Sequence, residues 1–86
     1  MKEISEIQII PIKPKDGLIG FASLVFEGIY LSSIGIHKKI NGSGYRITFP
    51  TKKVGEKQLN IFHPINREIG LEIEKSILKK TEEIFK

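Results

Sequence analysis

Two histidines, one aspartate, a glycine–serine–glycine run and a group of lysines are the residues here with chemistry to offer. His63 precedes Pro64 and lies 26 positions after His37, with Glu56 the only carboxylate between them. A catalytic histidine needs an orienting carboxylate or a nucleophile close by. The only aspartate, Asp16, belongs to a remote turn, and the histidine spacing is not that of a metal site. His63 therefore reads as structural. Pro64 pre-sets the chain for a helix, and His63 is expected to hydrogen-bond a backbone group near the helix start. Gly42-Ser43-Gly44 lacks the Gly-Lys-Ser/Thr ending of a phosphate loop and leads into a strand, so it reads as a turn that needs positive φ. We expect no catalytic residue, metal, cofactor or small-molecule substrate, and hence no enzyme.

The lysines are the better candidates. Residues 38–67 hold Lys38, Lys39, Arg46, Lys52, Lys53, Lys57 and Arg67 against Glu56 alone, a net +6, while the segments on either side each carry −1. Positive charge gathered in one stretch suits an anionic partner. Lys52 and Lys53 come just after Pro50, which is expected to end a strand, so the pair should sit on a loop with Lys57. Ammonium groups so placed contact phosphates without reading bases. Arg46 alternates with the apolar Tyr45, Ile47 and Phe49 and should be exposed near this loop; Arg67 at the helix start would join it. Lys38 and Lys39 are weaker candidates. No aromatic pair interleaves with these charges as on a single-strand stacking platform.

With 86 residues the chain is expected to be one domain, residues 1–86. At 40% hydrophobic and 28% charged residues it has the means to build a small core rather than stay disordered. It has no cysteine, which excludes disulfides and thiolate metal sites. Met1 to Glu6 shows no apolar signal core and no run reaches membrane-spanning length, so a cytoplasmic protein without membrane contact is expected.

The elements that position these charges follow from periodicity. Ile4 to Ile12 alternates loosely and reads as a first strand ending near Pro11, with a turn over Lys13 to Gly17. Leu18 to Phe26 is the longest apolar run and suits a strand; Glu27-Gly28 should turn it into a hairpin with Ile29 to Ile36. Tyr45 to Phe49 reads as a fourth strand and Gln58 to Phe62 as a short fifth or an extended loop. The last segment is helical, with Asn66 as N-cap, Glu68 in the first turn and Ile69, Ile73, Ile77 and Ile84 on one stripe. The expected fold is α+β: a mostly antiparallel sheet of four to five strands over residues 3–62, then one C-terminal helix over 66–85. The second strand is apolar on both faces, with Leu18, Leu24 and Phe26 on one and Ile19, Phe21 and Val25 on the other. One helix covers one face, so we expect a homodimer.

Gly44-x-x-x-x-x-Pro50-Thr51-Lys52-Lys53, followed by Ile61-x-His63-Pro64-Ile65-Asn66, resembles the signature of the stage V sporulation protein G family of small bacterial regulators. Gly17-Leu18-Ile19-Gly20-Phe21-Ala22-Ser23 and the pair Ile34 and Ile36 match as well, so the resemblance spans nearly the whole chain. It implies a regulator linked to septation, sporulation and gene regulation that binds DNA and RNA. It also implies that the basic residues matching Lys52 and Lys53 take part. The chain departs from the pattern in four places, one of them Ser33-Ile34-Gly35-Ile36 where Asp-Ile-x-Ile/Val is usual. The Pro50–His63 interval is about one residue shorter, the turn over Lys38 to Asn41 about two longer, and Gly70 replaces an arginine of the first helical turn. The competing expectation is a protein-interaction module at the division septum whose basic stretch meets an acidic protein. Salt-dependent binding to duplex DNA separates the two.

Overall fold

The computed structural model describes residues 3–40 and 44–85. Four strands, β1 (Ile4–Lys15), β2 (Leu18–Phe26), β3 (Ile29–Lys38) and β4 (Tyr45–Thr48), form one antiparallel sheet in chain order. Two more, β5 (Thr51–Val54) and β6 (Lys57–Asn60), pair only with each other. The helix α1 (Arg67–Ile84) follows. The fold is α+β, as expected. Of the expected Gly42-Ser43-Gly44 turn, Gly42 and Ser43 lie outside the described residues, and Gly44 has φ +84°.

Local chemistry accounts for the hairpins. Asp16-Gly17 and Glu27-Gly28 hold positive φ at both positions, which is the two-residue turn whose twist matches that of the strands it joins. The first strand does not end near Pro11 but runs to Lys15, leaving only Asp16-Gly17 as the turn. It tolerates Pro11 and Pro14 because β1 is a sheet edge, where one side of the strand has no ladder to donate to.

Bulges decide which side chains reach the core. A register shift between Ser5 and Gln8, with Glu6 at φ +51°, lets both Ile4 and Ile7 pack inward. A second shift between Leu18 and Gly20 sends Ile19 into the core beside Ala22 and Leu24. The two-faced reading of β2 is thereby corrected at its start. Leu18 faces out, where its Cδ1 and the side chains of His37 and Thr48 surround the Cα of Gly35.

On the inner face, Ile34 and Ile36 of β3 meet Ile73 and Ile77 of α1. Asn66 caps the helix as expected, its Oδ1 accepting from the backbone N–H of Glu68 at 2.8 Å and of Ile69 at 3.3 Å. Ile73, Ile77 and Thr81 form the buried stripe. The buried Thr81 hydroxyl donates to the Ile77 carbonyl at 2.8 Å, so burial leaves it satisfied. Among the described residues no helix covers the outer face. It presents Ile10, 59% exposed, and Tyr30, 67% exposed, around Phe21.

Candidate nucleic-acid interface

Pro50 ends β4 as expected, but the chain beyond it is not a loop. Lys52 and Lys53 lie on β5, and Lys57 opens β6. Gly55, at φ +63°, starts the two-residue turn with Glu56. A glycine at the first turn position is the mark of a type II′ hairpin. Lys52 pairs with Leu59, Lys53 with Gln58, Val54 with Lys57 and Thr51 with Asn60. Every residue of both strands is exposed.

Alternation then sorts the ribbon into two unlike faces. Lys52, Val54, Lys57 and Leu59 share one; Thr51, Lys53, Gln58 and Asn60 share the other. Lys52 and Lys53 therefore point in opposite directions. On the polar face the Thr51 hydroxyl donates to Gln58 Oε1 at 2.7 Å, which fixes the amide and leaves its NH2 as the outward donor.

The ribbon is clasped at its base. The Ile61 N–H donates to the Pro50 carbonyl at 3.0 Å. Phe49 and Phe62, on the strands' flanks, meet edge to face with ring centroids 6.1 Å apart, and both pack against the core.

The remaining sequence candidates sit elsewhere. Arg46 is exposed as expected, but on the outer sheet face, paired with His37. His37 Nε2 lies 3.0 Å from Thr48 Oγ1. Burial, and then the Arg46 charge, hold the His37 imidazole below its ordinary value, so it adds no cation at neutral pH. Arg67 is the exposed first residue of α1. A cation there opposes the helix dipole, so its position does nothing for helix stability. Lys38 and Lys39 are exposed at the end of β3. The structure thus gathers Lys52, Lys53 and Lys57 on one ribbon and leaves Arg46 and Arg67 on other elements.

His63 is exposed and makes no hydrogen bond among the described residues; the capping expected of it falls to Asn66 alone. It borders an apolar cleft of about 240 Å³ between Phe49, Phe62 and Ile69. Pro64 packs against Gly70, where an added Cβ would lie 3.2 Å from the proline Cγ. No group of three His, Asp or Glu side chains suited to a metal occurs among the described residues. Among these residues, too, no helix is long and apolar enough to cross a membrane.

Thr51, Gln58 and Asn60 escaped the reading of the sequence. The available signal was Gly55-Glu56, a two-residue turn with four residues free to pair on each side.

The model of the SpoVG family matches residues 1–83. The chain belongs to the SpoVG family. The matched span takes in all six strands and nearly all of α1, so the SpoVG assignment includes the ribbon as well as the sheet. No curated protein matches the chain by sequence.

Proposed function

We propose that this SpoVG-family protein is a non-enzymatic regulator that binds DNA and RNA and is linked to septation, sporulation and gene regulation. The observation that carries this reading is the ribbon. Three lysines on two fully exposed strands, with Glu56 the one acidic residue, have no packing role, and their charge suits a phosphate backbone. Arg46 and Arg67 are secondary contacts under the same reading, on surfaces beyond the ribbon.

Salt titration of binding tests it. Each phosphate contact contributes about 0.9 to the slope of log affinity against log salt on duplex DNA. Replacing Lys52 and Lys53 together with Ala should weaken binding and flatten that slope by up to about 1–2 per protomer. Stability should change by no more than about 0.5 kcal/mol, because both side chains are exposed. A folded double variant with unaltered affinity and slope would return the ribbon to the status of a solvated surface. The protein-interaction module would then be the better reading.

The same proposal includes a homodimer. Support comes from the outer sheet face, where Ile10, Phe21 and Tyr30 border a groove of about 310 Å³ that no helix of the described residues covers. A closed two-fold pairing would cover it. Light scattering at high micromolar concentration should give twice the 9.8 kDa chain mass; a monomer mass there rules the pairing out.

A further inference from the structure

We propose that the β5–β6 ribbon lies in the major groove of duplex DNA, its polar face toward the base edges. Lys53, Gln58 and Asn60 read bases; Lys52 and Lys57 hold the two phosphate walls. The inference rests on the nucleic-acid-binding reading above and adds to it the groove, the orientation and the residues that discriminate sequence.

Dimensions come first. The B-form major groove is about 12 Å wide and 8.5 Å deep and admits a two-stranded ribbon. Paired strands lie about 4.8 Å apart, so the ribbon fits flat with one face down. Nothing in its own strands obstructs this, since all eight residues are exposed. The deep, narrow major groove of A-form RNA does not admit such a ribbon.

The two faces then divide the labour. Thr51, Lys53, Gln58 and Asn60 are all polar and carry the amide and ammonium groups that match base edges. Gln and Asn suit adenine N6 and N7, and Lys suits guanine O6 and N7. Thr51 is a positioning residue, because its hydroxyl occupies Gln58 Oε1 and turns the amide donors outward. The other face lies at the level of the groove rim, where the phosphates are. Lys52 belongs to β5 and Lys57 to β6, so each borders a different wall. Their long stems let the ammonium groups lean sideways to the phosphates.

The experiment selects a preferred site from a DNA duplex library with a randomised core. Affinity is then compared across the selected duplex, a scrambled DNA duplex and an RNA duplex of the selected sequence. The full chain should prefer the selected duplex over both. Gln58→Ala and Asn60→Ala should each cut the selected-to-scrambled ratio by roughly 5-fold or more, the low end for one base contact, with the salt slope unchanged. Lys52→Ala and Lys57→Ala should weaken both DNA duplexes alike and each lower the slope by about 0.9. Thr51→Val should behave like Gln58→Ala, and Thr51→Ser should restore the ratio. Thermal melting checks that every variant is folded. If the protein binds in a salt-dependent way but selects no site, or if Gln58→Ala and Asn60→Ala keep the ratio, the groove assignment fails and the binding function stands. If no salt-dependent binding to either kind of duplex is seen, both fail.

Discussion

Ile77→Ala should cost about 2–5 kcal/mol of folding stability, the range for emptying a fully buried aliphatic site. Ile77 is 0% exposed and lies in the cluster that joins α1 to Leu24, Ile34 and Ile36. The loss has two parts: the transfer free energy of the removed methyl and methylene groups, and the cavity left between a helix and a sheet that close on it only in part. Small domains have about 5–15 kcal/mol in total, so this one side chain accounts for a large share. Urea unfolding followed by circular dichroism measures it. Ile84→Ala, on the same helix but 44% exposed, is the control and should lose much less. Equal losses at the two positions would mean that α1 is not held to the sheet by its buried stripe.

Gly20→Ala should be the most damaging single-methyl addition in the sheet. A Cβ at Gly20 would stand 2.8 Å from the Ile10 carbonyl oxygen and 3.3 Å from the Pro11 Cα. Both atoms are backbone of β1, so no side-chain rotation relieves the contact, and β1 has to move away from β2. Overpacking of this kind costs about 1–3 kcal/mol. In a domain of this size each kcal/mol lowers the melting temperature by about 4–8 °C. A thermal melt unchanged within 2–3 °C of the wild type would show that the edge strand yields without loss, contrary to the close register here.

Much of this fold was legible because its signals were redundant. Leu18 to Phe26 is a long apolar run between two turns, and it is β2 to the residue. Asn66 followed by Glu68 and an isoleucine stripe declared the helix and its cap. What was missed lay where alternation is interrupted or where no apolar residue marks a strand. A bulge adds one residue without leaving a trace in composition, so Leu18 and Ile19 were assigned to each other's faces. Pro11 resembled a strand end because the sequence does not say which strand will be an edge. Thr51 to Val54 reads as a loop, and Gln58 to Phe62 as no more than a short fifth strand or an extended loop, because the stretch is mostly polar and strand pairing there depends on the Gly55 turn and on the clasp beneath it. Of the candidate site, Lys52, Lys53 and Lys57 are legible from the charge excess and, for the pair, from its place after Pro50 and the family resemblance. Their division between two faces needed the register.

The Phe49–Phe62 clasp has a consequence for how such a chain can diversify. It brings the two ends of the ribbon together at the edge of the core and holds them there. Whatever is spliced between those rings inherits a closed base. Changing the length of a flexible insert costs little, roughly 0.6 kcal/mol for each doubling. The ribbon can therefore be lengthened, shortened or rewritten by drift while the sheet and helix keep their packing. The Pro50–His63 interval, where this chain differs in length from the pattern it resembles, covers nearly the same stretch as the one between the two rings. A lineage can alter the tip without risking the scaffold, in the way a tool takes interchangeable bits.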